Sequence, residues 1–150
     1  MSLVDATTEK WPEQQDPIKN DNPAVWDLVL KDLERMVFND SGKMLIRSAL
    51  IEDIHLRDAT GEKKYGVRLQ PFNGRNFVQD AYEEALDSSV YLRGAIQEKN
   101  GPVIVTQHNE NMRYYLNSMY VAQIQIALGL RHILYIEKEM NESTSNTSNS

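Results

Sequence analysis

The chain has 150 residues, of which 41% are hydrophobic, and carries a formal net charge of −6, values that suit a single soluble domain with a hydrophobic core. It contains no cysteine, which excludes a disulfide framework, a thiolate zinc site and a catalytic thiol. The acidic balance argues against a nucleic-acid duplex as the main partner, and because no apolar run reaches the roughly 18 residues of a membrane span, we expect a cytoplasmic protein without membrane contact.

Both ends of the chain are polar. Residues 1–20 are rich in Glu, Gln, Asp, Lys and Pro, and residues 141–150 consist mainly of Asn, Ser and Thr. Segments of this composition bury too little apolar surface to offset the entropy of ordering. We therefore expect disordered tails at 1–20 and 141–150, on either side of a single helical domain at 21–140.

The first predicted helix covers about residues 23–38. Asn22 is suited to cap it, and Pro23 is suited to its first helical position. The apolar residues that follow repeat with the 3.6-residue period of an amphipathic helix.

A second helix is predicted over about residues 43–59, ending near Gly61. Asp53 lies beside the apolar stripe of this helix, where an unpaired carboxylate would be costly to desolvate. Two interpretations are open. Asp53 either forms an i+4 ion pair with Arg57 or belongs to a functional site.

A basic segment, residues 63–75, leads from the second helix to the third. It contains two glycines, one proline and four basic residues. Its composition favours a loop that faces a ligand, and a basic cluster in an acidic protein suits a small phosphorylated molecule better than a duplex.

The third predicted helix starts at a cap residue, Asn76, and carries four carboxylates with no basic residue among them. They are Asp80, Glu83, Glu84 and Asp87. On a helix they share an arc of roughly 100°. Like charges at this spacing destabilise a helix by a few tenths of a kcal/mol each, a repulsion that Mg²⁺ would relieve. The face either holds a divalent cation or is simply solvated.

A final helix is predicted over about residues 111–139, after a short run, 103–106, that suits either an extended or a buried connector. The apolar positions of the final helix occupy more than one narrow stripe. That width predicts burial against several helices or against a second chain.

A longer pattern combines the basic segment with the acidic helix. Its elements are Lys64-Tyr65-Gly66, Leu69, Pro71, Asn73-Gly74-Arg75, Asp80-x-Tyr82-Glu83-Glu84-x-x-Asp87 and Tyr91-Leu92-Arg93. Over about residues 50–98 the pattern resembles a group of phage-associated proteins that are similar to the all-α, MazG-type nucleoside triphosphate pyrophosphohydrolases. The resemblance implies an all-α, four-helix bundle completed by dimerisation, in a phage or its bacterial host.

The resemblance also implies an activity, the cleavage of a nucleoside triphosphate to its monophosphate and pyrophosphate by a water bound to Mg²⁺ or Mn²⁺. In that superfamily, a Glu-x-x-Asp and a Glu-Glu-x-x-Glu or Asp on two helices hold the metal. Glu83, Glu84 and Asp87 match these motifs and are the predicted catalytic residues and metal ligands, with Asp53 or Asp80 as further ligands. The predicted substrate-binding residues are Lys63, Lys64, Tyr65, Arg68, Asn73, Arg75 and Tyr91.

The sequence supplies one acidic motif where the superfamily uses two. Either Asp53 and Asp80 complete the metal site, or a second subunit contributes, or the chain keeps the fold without the activity. The alternative function is a non-catalytic helical dimer that binds a nucleotide or a host protein, or a structural component of a mobile element.

Overall fold

The computed structural model describes residues 13–37, 41–99 and 107–147. Within these residues the chain forms four helices and no strand, which confirms the predicted all-α class. The helices are α1 (Val25–Arg35), α2 (Ser41–Tyr65), α3 (Phe77–Lys99) and α4 (Gln107–Thr147). They fall into two compact units, one covering Glu13–Arg75 and one that begins at Asn76.

None of the described helices combines the length and the apolar character needed to cross a membrane.

Helix α1 starts two residues later than the sequence predicts, at Val25. Its cap residue is Ala24, which makes no capping bond through its side chain. The predicted cap, Asn22, is used elsewhere: its backbone N–H donates to Asn20 Oδ1 (2.9 Å), and its carbonyl accepts from Gln70 Nε2 (2.5 Å). Because these bonds hold Asn22 in a non-helical segment, the helix begins only after it.

Helix α2 is longer than predicted because it passes through Gly61. A glycine inside a helix costs about 1 kcal/mol relative to alanine, but it does not by itself end the helix. The helix ends where Gly66 adopts a left-handed conformation (φ +74°) and its N–H donates to the Glu62 carbonyl (2.8 Å). The segment 63–65, predicted as loop, is therefore the last turn of α2.

Helix α3 begins as predicted. Asn76 Oδ1 accepts hydrogen bonds from the N–H groups of Val78 (2.9 Å) and Gln79 (3.1 Å), which confirms Asn76 as the cap. The predicted connector at 103–106 lies outside the described residues.

Helices α3 and α4 pack antiparallel. Near one end Arg113 Nε donates to the Lys99 carbonyl (3.2 Å), and near the other Asn76 Nδ2 donates to Glu137 Oε2 (3.1 Å). The residues that face the partner helix recur with alternating steps of three and four, as in a coiled coil. On α3 they are Val78, Tyr82, Ala85, Ser89, Leu92 and Ile96. On α4 they form the set that we name the inner seam: Asn109, Arg113, Leu116, Tyr120, Gln123, Ala127, Leu130, Leu134 and Glu137.

Helix α4 exceeds its predicted range at both ends, and its described part continues into the polar segment after residue 140. There the hydroxyls of Ser143, Thr144 and Ser145 each donate to the carbonyl four residues earlier, at 2.8 to 2.9 Å. These hydrogen bonds satisfy the three hydroxyl groups within the helix itself, and they are compatible with a helical backbone.

Gly61, inside α2, and Gly66, directly after it, are predicted to respond in opposite ways to replacement by alanine. Gly66→Ala should lower the free energy of unfolding by about 1 kcal/mol, because a Cβ is strained at positive φ. Gly61→Ala should raise it by up to about 1 kcal/mol, because the site is helical and a Cβ would meet nothing within 4 Å. Chemical denaturation of both variants checks the pair. Equal effects would contradict the assigned end of the helix.

Candidate functional site

The unit Glu13–Arg75 is tied together by two polar segments that hydrogen-bond to each other. Asn20 and Gln70 form the centre of this contact. The Asn20 N–H donates to Gln70 Oε1 (2.9 Å), and Gln70 Nε2 donates back to the Asn20 carbonyl (2.6 Å). Asn20 Nδ2 also donates to the Pro71 carbonyl (2.7 Å). Residues before α1 are thus held against residues after α2.

A tight turn closes the second segment. Phe72 is exposed and has a left-handed backbone (φ 59°), whereas the next residue, Asn73, is only 1% exposed. Asn73 Oδ1 accepts from the N–H of Arg75 (3.0 Å), and Arg75 Nη1 reaches the carbonyl of Gln15 (2.7 Å). A residue other than glycine at positive φ persists only where its surroundings hold it, and here the buried amide and the arginine bridge do so.

A cluster of three charged residues lies at the centre of this unit; we call it the Arg68 cluster. Arg68 donates to both carboxylate oxygens of Asp27, with Nη2 at 2.6 Å and Nη1 at 3.1 Å. It also donates to Asp58 Oδ2, with Nη2 at 2.6 Å and Nε at 2.9 Å. One guanidinium therefore joins α1, α2 and the segment after α2, using the fork geometry that suits arginine to carboxylates.

The electrostatics of the cluster follow from this geometry. The hydrogen bonds from Arg68 hold the pKa of Asp27 below its ordinary value of 3.8, and the two carboxylates raise the pKa of Arg68. Asp58 is the most buried member. Its Oδ1 has no hydrogen-bond partner among the described residues. The buried negative charge of Asp58 is therefore balanced by the positive charge of Arg68.

A cleft of about 370 Å³ opens beside the cluster; we call it the Arg68 cleft. It is lined by Lys19, Asn22, Pro23, Ala24, Asp27, Glu62, Gly66, Val67, Arg68 and Gln70. Two of the lining side chains are basic and two are acidic, and one of the bases, Arg68, is already engaged by carboxylates. The cleft thus offers a small polar ligand both donors and acceptors, with little net positive charge for a polyphosphate.

The predicted metal ligands on α3 lie on the side of the helix opposite to the face that packs on α4. Glu83, Glu84 and Asp87 are exposed, and Asp80 is half-buried. Glu83 Oε1 accepts from Gln79 Nε2 (2.9 Å). Across the described ranges, no three Asp, Glu or His side chains are placed so that they could hold a metal ion together.

The fifth predicted metal ligand, Asp53, is exposed on α2, which belongs to the other unit. In the described part of the chain Asp53 makes no ion pair with Arg57, so the ion-pair interpretation is not confirmed, and the functional interpretation stays a prediction. An ion pair between two solvated side chains four residues apart on a helix adds little to the free energy of unfolding.

The predicted substrate-binding residues are spread over several environments. Lys63, Lys64 and Tyr65 lie exposed on the last turn of α2, where Lys64 Nζ is 4.7 Å from the centre of the Tyr65 ring. The basic segment also contains Arg68 in its carboxylate cluster, and Asn73 bonded to Arg75. Tyr91 is 73% exposed on α3. The structure therefore joins Asn73 with Arg75 and keeps Arg68 with the acids of its own unit.

Asp27 and Asp58 are the residues that sequence reasoning missed. A signal for Asp58 exists, because it lies four residues after Ile54 and both are buried on the same face of α2. An acid at a buried helical position requires a cation. The identity of that cation, ten residues further on, follows only from the tertiary structure.

Compared with protein-family models, with curated proteins and with solved structures, the chain gives no match in any of the three.

The structure predicts that replacing Arg68 has a large effect on stability and that replacing Arg57, outside the Arg68 cluster, has a small one. Arg68→Met should lower the free energy of unfolding by about 2 kcal/mol or more, because Asp58 is left buried without its cation. Arg57→Met, on an exposed part of α2, should stay within about 0.5 kcal/mol. Denaturant titration at neutral pH measures both.

The cluster also predicts a dependence on pH. Because the pKa of Asp27 is lower in the folded protein than in the unfolded chain, the unfolded chain binds more protons in acid. The contribution of Asp27 to stability is therefore present above pH 3.8 and is lost as the pH falls through the lowered pKa. Unfolding followed between neutral pH and pH 2 should show this loss in the wild type but not in Arg68→Met. An unchanged acid limb in the variant would contradict the assignment.

Proposed function

We propose that this chain is a subunit of a helical homo-oligomer, in its simplest form a dimer, that acts by binding and assembly. The observation that carries the proposal is the imbalance between buried and exposed apolar side chains in the unit that contains α3 and α4. Its buried apolar residues within the described ranges are Ala85, Ile96, Ala127 and Leu134. Two of these are alanines, so the packed seam supplies a small hydrophobic core.

The exposed apolar residues of α4 are far more numerous and larger. They are Met112, Tyr114, Tyr115, Met119, Val121, Ile124, Ile126, Leu128, Ile133, Ile136 and Met140. Complete burial of a side chain such as Ile, Leu or Met is worth about 1.5 to 3 kcal/mol. A surface of this kind is the usual mark of a protein interface. In the proposed assembly two copies would complete a four-helix bundle, as the resemblance to MazG-type proteins implies.

A nucleotide is the ligand that we propose for this assembly. In support, Lys63 and Lys64 are exposed and form no ion pair with a carboxylate among the described residues. Neither ammonium charge is neutralised by a described carboxylate, and in the described part of the chain Lys64 contacts only the Tyr65 ring, so both charges are available to phosphate oxygens. Glu62, the residue before them, lines the Arg68 cleft.

The proposed assembly predicts the mass of the particle in solution. Sedimentation equilibrium should give at least twice the chain mass of 17.3 kDa. Because apolar burial drives the association, the oligomer should persist at high salt. A mass of 17.3 kDa at every concentration would refute the proposal.

Metal-dependent nucleotide pyrophosphohydrolysis is the second candidate function. The observation that favours it is the acidic face of α3, on which Glu84 and Asp87 are exposed and make no hydrogen bond or ion pair with the described residues. Two carboxylates one turn apart suit Mg²⁺ or Mn²⁺, but the described residues of one chain do not form a metal site. In this candidate a second copy would supply the remaining metal ligands.

Pyrophosphate release separates the two candidates. A panel of ribo- and deoxyribonucleoside triphosphates is tested with Mg²⁺ or Mn²⁺ on the wild type, on Glu84→Gln and on Glu98→Gln, an exposed control on the same helix. The binding function predicts no release from any of the three proteins. Release that Glu84→Gln abolishes and Glu98→Gln retains would establish the enzyme instead.

A further inference from the structure

Helix α4 carries a second regular stripe besides the inner seam; we name it the outer seam. Its residues are Met112, Tyr115, Met119, Ala122, Ile126, Gly129, Ile133, Ile136 and Met140. Successive members are separated by alternating steps of three and four, and every one of them is exposed. This is the spacing of a coiled-coil interface, sustained over about four heptads, a length typical of stable coiled coils.

The outer seam is more apolar than the seam that the chain itself covers. The inner seam includes Asn109, Arg113, Gln123 and Glu137, whereas the outer seam contains no charged or amide side chain. A polar row bounds the outer seam on one side: Asn111, Ser118, Gln125, His132 and Glu139, all exposed. The outer seam is thus an apolar strip with a polar row along one side and the inner seam along the other, an arrangement that leaves room for one partner helix.

We propose that α4 pairs through its outer seam with α4 of a second copy of this chain, in antiparallel orientation, with Ile126 facing Gly129 of the other copy. This inference deepens the proposed function, on which it rests, by naming the partner helix, its direction and its register.

Side-chain volume supports the antiparallel register. With Ile126 opposite Gly129, Ile133 falls opposite Ala122, and Met119 falls opposite Ile136. The small positions thus receive branched side chains, as large and small residues alternate in a packed interface. Nothing among the described residues lies within 4 Å of where a Cβ of Gly129 would be, so the hole is open. A parallel pair would place Gly129 opposite Gly129 and leave a void.

The charges beside the outer seam are compatible with the same direction. Glu137 and Glu139 flank the outer seam near the end of α4. In the antiparallel register Glu139 lies beside Ser118 and Glu137 beside Leu116 of the other copy, and neither of these residues carries a charge. Opposed helix dipoles also favour the antiparallel pair.

The first test adds one charge either to the seam or to the polar row beside it. Ile126→Glu places a carboxylate in the seam, and Gln125→Glu places it one residue away, on the exposed row. We expect the dissociation constant of the dimer to rise at least about a hundredfold in Ile126→Glu and to change less than about threefold in Gln125→Glu, because only the first buries an unpaired charge. Sedimentation equilibrium measures both, and circular dichroism confirms that each variant stays helical.

The second test reads the register without disturbing the fold, since the native chain has no cysteine. In the antiparallel register the double variant Ala122→Cys with Ile133→Cys should form disulfide-linked dimers on oxidation, while Ala122→Cys alone should form few. Along one helix these positions are about 16 Å apart, too far for a bond within a chain. Efficient linking of Ala122→Cys alone would overturn the antiparallel direction.

The outcomes separate this inference from the proposed function. A wild-type dimer that survives Ile126→Glu would overturn the outer seam and leave self-assembly standing. A wild type that is monomeric at every concentration would overturn both. A dimer that dissociates in Ile126→Glu, persists in Gln125→Glu and cross-links in the double-cysteine variant supports both.

Discussion

The Arg68 guanidinium is the fixed point of the unit Glu13–Arg75, because three separate elements meet at it. Asp27 reaches it from α1, Asp58 reaches it from α2, and Arg68 itself follows the glycine that ends α2. The apolar core of this unit is small, with Ala24, Leu33 and Ile54 as its buried hydrophobic members within the described ranges. Because so little hydrophobic surface is removed from water, the partly buried Arg68 cluster contributes much of the stabilisation that holds the helices and loops of this unit in one arrangement.

Helices α3 and α4 also bury few apolar side chains completely, but the consequence differs from that in the unit Glu13–Arg75. Their shared seam combines leucine, isoleucine and tyrosine with polar residues and alanines, and its fully buried apolar members among the described residues are few. Most of the exposed large apolar side chains of α4 lie in the outer seam, at regular spacing. In the unit Glu13–Arg75, polar bonds thus compensate for a small hydrophobic core. In the unit of α3 and α4, we infer that a second copy of the chain completes the hydrophobic core.

This division bears on the choice between an enzyme and a binding protein. Arg68 and Arg75, two of the bases that sequence reasoning assigns to a phosphate ligand, are engaged in contacts within their own unit. The acids of α3 are solvated on one helix face and do not converge on a metal position within the described chain. In the proposed pyrophosphohydrolase, a metal site would therefore need ligands beyond those that the described residues of one chain bring together.

Local rules of the sequence determined much of the secondary structure. The all-α class, the cap at Asn76 and the broad apolar character of α4 follow from periodicity and capping chemistry, which act over a few residues and need no knowledge of the rest of the chain. The same rules were wrong about the start of α1 and the end of α2. Asn22 bonds to Gln70, almost fifty residues away, and Gly61 remains helical while Gly66 turns.

Only the tertiary structure decided which charged residues meet. Asp27, Asp58 and Arg68 come from three elements, and nothing in their spacing pairs them. Asp53 and Arg57 have the spacing of a helical ion pair and do not form one among the described residues. The reason is physical: helix formation depends on neighbours in sequence, whereas pairing of charges depends on burial and on distance in space, which arise only when the elements pack.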